Sequence, residues 1–212
     1  MDKVSLIVPW RTDNGHRETL WQWYQAWWKF NFPDWQIITC DSGDEIFTRG
    51  RSINLGIHEA KGNIFVIADA DTISTGVKTA IGITEYTGWS LGYATNEYFD
   101  ITEAATAAYL TGPPIYDINR PSGCEIRRIL NSCSGCVVVS RRVWNLSGGF
   151  DTRFCGWGCE DLAFFTVLKT ISPFIQPAHG FAISLCHAEL DHEREGQPHY
   201  TKNYELYQHY YQ

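Results

Sequence analysis

Nowhere does the 212-residue chain hold about 18 consecutive apolar residues, so no segment reads as a helix able to cross a membrane. Met1-Asp2-Lys3 leads at once into a short apolar strand rather than a secretory leader, and a cytoplasmic location is the expectation. Internal repeats and low-complexity stretches are missing too. Positive charge is scarce: 17 Lys and Arg face 24 Asp and Glu, and the net charge of −7 opposes non-specific attraction to a polyanion. Arg120, Arg127, Arg128, Arg141, Arg142 and Arg153 leave room for a local phosphate-facing patch, although solvated, paired arginines account for most of them. The seven cysteines are an odd number in a chain without a leader, which favours reduced thiols over a disulfide framework. Cys133-x-x-Cys136 and Cys155-x3-Cys159 do not match the paired knuckle spacing of a four-cysteine zinc site.

What is present is a β-α-β rhythm, in a length that suits one domain with a conventional core. Strands are expected at 5–8, 35–39, 63–68 and 136–140, and helices at 16–30, 51–60, 141–146 and 160–171. Between His16 and Phe30, Leu20, Trp21, Trp23, Tyr24, Trp27 and Trp28 recur at helical spacing, an aromatic face that reads as core. The pattern implies an α/β fold with a largely parallel central sheet flanked by helices. Function then gathers at the carboxyl edge of that sheet. Residues 72–134 break the rhythm with repeated Gly and Pro punctuation and one clear helix near 102–110, and are expected to be a variable, acceptor-side insertion. Tyr200 to Tyr211 reads as a docked C-terminal helix.

Two acidic stations stand out. Asp69-Ala70-Asp71 follows the apolar run ending at Ala68, where two carboxylates on one face suit a cation or a nucleotide. Alone the pair is weak, since 12 Asp in random order would give about 0.7 Asp-x-Asp. The second station is Gly156-Trp157-Gly158-Cys159-Glu160-Asp161. Acids in a first helical turn are stabilised by the helix N-terminus, which accounts for Glu160 and Asp161 but not for the glycines before them.

The order of Phe47-Thr48-Arg49-Gly50-Arg51, Asp69-Ala70-Asp71, Gly148-Gly149-Phe150-Asp151 and Gly156 to Asp161 resembles nucleotide-sugar transferases of the GT-A fold. The nearest resemblance is to the animal β-1,4-galactosyltransferases and the related chondroitin-type polymerases. It covers residues 4–71 and 135–205; many members carry a membrane stem, and none is expected within these 212 residues. The resemblance implies a single GT-A domain with a nucleotide-binding half (1–71) and an acceptor and catalytic half (135–212). It implies that Pro9, Trp10, Arg11, Asp41, Arg49, Arg51, Asp69, Ala70, Trp157 and Gly158 hold a nucleotide sugar, UDP-linked by expectation. Asp71, His187 and Asp69 would hold Mn²⁺ (or Mg²⁺), with His199 and Tyr204 in the tail after the late His. Asp161 would be the general base and Glu160 the holder of sugar hydroxyls, with inversion at the anomeric carbon. The acceptor would be a glycan, a small molecule or a hydroxylated nucleobase.

Two other classes share parts of this pattern. A nucleotidyltransferase would want a glycine-rich phosphate loop after the first strand, where Pro9-Trp10-Arg11-Thr12 stands instead. A carbohydrate-binding protein without catalysis would have no need of both acidic stations.

Overall fold

The computed structural model describes residues 4–15, 17–130, 133–187 and 198–211. Largely apolar runs form the centre: β1 (Val4–Pro9), β2 (Gln36–Cys40), β3 (Ile64–Ala68) and β8 (Cys136–Ser140). With β5 (Trp89–Leu91) they make a five-stranded sheet of order β2-β1-β3-β8-β5. β2, β1 and β3 are parallel, β8 is antiparallel to β3, and β5 is antiparallel to β8. Every strand of this sheet but β8 therefore points the same way, and the carboxyl ends of the neighbours β2, β1 and β3 meet side by side at one edge.

Strand alternation sorts the core into two layers. Leu6 and Val8 of β1, Val66 of β3 and Val138 of β8 face α1 (Arg17–Asn31), which buries Trp21, Tyr24, Trp27 and Trp28 against them. Ile7, Ile67 and Val139 face the other way, toward α2 (Arg49–Glu59), α5 (Arg141–Ser147) and α6 (Glu160–Ile171). The aromatic face of α1 is thus core, as its spacing predicts. A continuous run buried on both sides is what a helix-covered sheet requires.

Residues 72–134 hold more regular structure than their Gly and Pro punctuation implies. They supply β4 (Thr72–Ser74), α3 (Val77–Thr87), β5, β6 (Tyr98–Ile101), α4 (Glu103–Thr111) and β7 (Ile126–Ile129). Together with β9 (Ala182–Ser184), three of these strands build a second, four-stranded sheet of order β4-β9-β6-β7. Phe99 and Ile101 of β6 are fully buried in the same layer as α1. Trp89 and Tyr93 are buried as well, so the aromatic residues of this stretch lie largely in the core.

The C-terminal helix α7 (Pro198–Gln208) continues into a short 3-10 turn at 209–211. Tyr207 packs with Phe154, Cys159 and Ala163, which docks α7 against the start of α6. No helix among the described residues is long and apolar enough to cross a membrane.

Candidate active site

Asp41, Asp69 and Asp71 all lie just past the carboxyl ends of parallel strands. Pro9 is paired with Cys40, and Ile7 with Ile67, so Trp10 and Arg11, Asp41 and Asp69 come to one rim. Arg11 donates from Nε and Nη2 to both oxygens of Asp41, at 2.8 and 2.7 Å, and lies over the Phe47 ring. This fork, together with the Gly43 N–H, holds the Asp41 carboxyl below the usual range.

Asp69 and Asp71 take different partners, with Ala70 buried between them. Asp69 accepts from Arg49 at 2.7 Å. Burial pushes its carboxyl up to about 6, with the Arg49 charge pulling the other way and Asp71 adding to the rise. Asp71 instead meets His187, Nε2 to Oδ2 at 2.8 Å. Burial raises Asp71 too, but the bond and charge of His187, the charge of Arg17 and the Thr72 hydroxyl outweigh it and leave the carboxyl below its ordinary value. The second sheet makes this contact. Thr72 pairs with Ser184 across β4 and β9, and the Leu185 N–H bonds the Asp71 carbonyl at 3.0 Å, so the chain runs back past Asp71 and delivers His187 two residues later.

Arg49, the first residue of α2, reaches across the site. Its Nη1 lies 3.9 Å from Glu160 Oε1, and Nη2 donates to the Ser134 carbonyl at 3.4 Å. Burial opposes its charge, yet Asp69, Glu160 and Asp161 together raise it above the normal guanidinium value, so it stays protonated. Glu160 is 7% exposed, and burial, then the neighbouring Asp161, push its carboxyl up to about 7 against the pull of Arg49. Two atoms of this pair, Arg49 Nη1 and Glu160 Oε2, are buried without a hydrogen-bond partner.

The Gly-Trp-Gly-Cys loop is what turns Glu160 inward. Gly156, Gly158 and Cys159 all have positive φ, at 67°, 111° and 67°, and Cys159 is the left-handed residue before α6. At Gly158 a Cβ would come within 2.6 Å of the Tyr200 ring, so both the backbone shape and the space demand glycine. Asn203 of α7, itself buried, fixes the loop by accepting from the Cys155 N–H and donating to the Cys155 and Trp157 carbonyls. Trp157 is left half-exposed, stacked on Tyr200 at 5.6 Å, and Tyr204 stacks on Tyr200 in turn. Asp161 accepts from the Leu162 N–H at 2.8 Å and lines a shallow cleft together with Arg49, Cys133, Ser134, Phe150 and Phe164.

Among the residues expected here, Asp69, Glu160 and Arg49 come together directly, Asp71 with His187, and Arg11 with Asp41. Arg51 faces away, toward Asp44 at 3.2 Å and the Thr152 carbonyl at 2.9 Å, and His199 stands against Gly156. Among the described residues no three His, Cys, Asp or Glu side chains converge as a ready metal cluster. Sequence reasoning overlooked Arg17, whose guanidinium lies over the Trp10 ring at 4.9 Å, and Thr72, whose hydroxyl touches both Asp71 and the buried Tyr98 hydroxyl. The one signal for Arg17 was its place in the first turn of α1, after an Asp13 that caps it.

The catalytic domain of Drosophila β1,4-galactosyltransferase 7, solved with xylobiose, superposes with a TM-score of 0.62 over 98% of this chain and 80% of that one, at 19% identity. The chain has the GT-A glycosyltransferase fold. A mutant of the same Drosophila enzyme, solved with manganese, UDP-Gal and xylobiose, gives a TM-score of 0.59 at 18% identity over 93% of this chain and 76% of that one. A third GT-A neighbour is glucosyl-3-phosphoglycerate synthase from Mycobacterium tuberculosis, solved with Mn²⁺, UDP-glucose and phosphoglyceric acid. It matches with a TM-score of 0.53 at 15% identity, over 90% of this chain and 74% of that one. No family profile and no curated protein sequence matches the chain.

Proposed function

We propose that this protein is an inverting glycosyltransferase that moves a sugar from a UDP-linked donor to a hydroxyl of a glycan or small-molecule acceptor, with a divalent cation. The observation that carries this reading is the ion-pair chain Asp69–Arg49–Glu160, which ties the strand-end acids and the helix-start acids into one site. The neighbours of like fold, solved with UDP-sugars and manganese, support the donor class.

Asp71 and His187 fit a divalent cation: an ionised carboxylate beside an imidazole nitrogen at 2.8 Å offers one hard oxygen and one nitrogen donor. That mixed set suits Mn²⁺ better than Mg²⁺. A cation held there would offset the charge that gathers on the diphosphate as it leaves. Asp41 and Arg11, with Pro9 and Trp10 beside them, form the rim that would take the nucleoside.

On the other side, Asp161 takes the proton of the acceptor hydroxyl. The hydroxyl oxygen bonds to the anomeric carbon, the bond from that carbon to the diphosphate oxygen breaks, and its electron pair leaves with the diphosphate. Attack opposite the leaving group inverts the carbon. Glu160 and Arg49 present one buried acceptor and one buried donor without partners, and a sugar hydroxyl, which both donates and accepts, satisfies the two at once. Trp157 gives an apolar face to a sugar ring.

The test is calorimetric titration with UDP and Mn²⁺, followed by a screen of nucleotide sugars for hydrolysis. Saturable, Mn²⁺-dependent UDP binding and release of UDP from at least one nucleotide sugar are expected. Absence of both sinks the proposal.

A further inference from the structure

Four arginines stand near the carboxyl edge of the central sheet, and three have carboxylate partners. Arg11 is held by Asp41, Arg49 by Asp69 and Glu160, and Arg51 by Asp44. Arg17 differs. Its backbone N–H is capped by Asp13, but its guanidinium makes no ion pair with any described residue and lies over the Trp10 ring at 4.9 Å. Trp10 is itself fixed, its ring stacked on Trp21 at 5.0 Å and its backbone N–H bonded to the Cys40 carbonyl at 3.0 Å. Asp41 follows Cys40 directly, so the shelf under Arg17 belongs to the same rim.

A cation in the first turn of α1 opposes the helix dipole, and no carboxylate there compensates it with an ion pair. Its charge does reach Asp71, whose carboxyl it helps hold below the usual range. Asp41, Asp69, Asp71, Glu160 and Asp161 gather at the same rim, where Arg11 and Arg49 are already taken up by Asp41, Asp69 and Glu160. A nucleoside diphosphate with one divalent cation still carries net negative charge. A guanidinium without a carboxylate partner, steadied on an aromatic ring, matches that remainder, because its planar fork meets two phosphate oxygens at once.

We propose that Arg17, carried on the Trp10 ring, binds the diphosphate of the donor. The role rests on the nucleotide-sugar reading above and names the side chain that recognises the charge the cation leaves uncompensated.

The experiment is calorimetry on the wild-type chain and on Arg17→Gln and Arg17→Lys, with three probes in the presence of Mn²⁺: UDP, uridine and inorganic pyrophosphate. Arg17→Gln should weaken UDP and pyrophosphate about ten- to a hundredfold while leaving uridine affinity and the ligand-free thermal midpoint unchanged. Arg17→Lys should recover part of the loss. Wild-type affinity for UDP and pyrophosphate in Arg17→Gln overturns the proposal, and so does an equal loss for uridine, which would mark Arg17 as a prop for Trp10. If the wild type binds pyrophosphate but gains nothing from the nucleoside, the UDP reading falls and the pyrophosphate arm still decides Arg17. If it binds neither, both fall.

Discussion

Glu160→Gln should make the ligand-free protein more stable at pH 8, although it removes a member of the proposed active site. Burial lifts the Glu160 carboxyl from an ordinary value of 4.5 to about 7, so its ionised form is the costly one. In the unfolded chain the group ionises freely above its ordinary value. Between the two values the folded state therefore binds more protons, and stability falls as pH rises. Each pKa unit corresponds to about 1.4 kcal/mol, so at pH 8 the ionised carboxylate costs about 3 kcal/mol, and at pH 5 less than about 1. The side chain is 8% exposed, which leaves little solvent to screen that cost. Gln keeps the shape and the neutral charge of the protonated acid. Urea unfolding at pH 5 and pH 8 is the assay, with a gain of about 3 kcal/mol expected only at the higher pH. A Gln variant less stable than wild type at pH 8 refutes the reasoning, because Arg49 would then more than compensate the ionised Glu160, and so does a gain of equal size at both pH values, which would not come from ionisation.

At Asp71, replacement by Ala should abolish the Mn²⁺ dependence of UDP binding together with most of the affinity; equal UDP affinity in Mn²⁺ and in excess chelator for the wild type would count decisively against a metal at this residue. His187→Asn should weaken Mn²⁺ and leave the metal-free thermal midpoint nearly unmoved, and the reverse pattern would make His187 a structural partner of Asp71. Asp161→Asn should keep UDP-sugar binding near wild type while transfer falls about 10²- to 10⁴-fold, the usual contribution of a general base. Near-normal transfer by that variant in a saturated assay, or a product with the donor's anomeric configuration, sinks the inverting mechanism.

Elements bounded by strong local signals were legible in the sequence. α6 begins at Glu160 and ends at Ile171, as the glycine-rich approach and the two first-turn acids imply, and β8 spans the predicted residues. The second sheet was not legible. Thr72–Ser74 and Ala182–Ser184 are three residues each, too short to show alternation, and they pair with each other across more than a hundred residues of chain. α3 was hidden by Gly82 and by the β-branched residues around it, which weaken a helical pattern that tertiary packing then restores. Motif order singled out the acids that gather at this rim, but not their pairing. Arg49 meets Asp69 because α2 starts at that rim, and His187 meets Asp71 because β9 returns there.

That division of the Asp-x-Asp pair bears on how the two halves of the site communicate. Asp71 belongs with the second sheet through Leu185 and His187, whereas Asp69 belongs with α6 through Arg49 and Glu160. The turn that carries both is also pinned to the bend just before β8, since the Asp69 N–H bonds the Gly135 carbonyl at 3.2 Å. A ligand charge that draws on Arg49 therefore changes the field at Glu160 without any backbone movement. If a phosphate takes Arg49 Nη1, Glu160 loses part of the guanidinium charge that opposes its protonation, and its carboxyl rises further. In the proposed mechanism the neutral acid could then donate to a hydroxyl oxygen that an ionised Glu160 could only receive from, while Asp161, less buried in the same helical turn, would keep its oxygens for the acceptor proton. Burial together with the Arg49 partner would thereby give two adjacent acids of one helix turn different tasks.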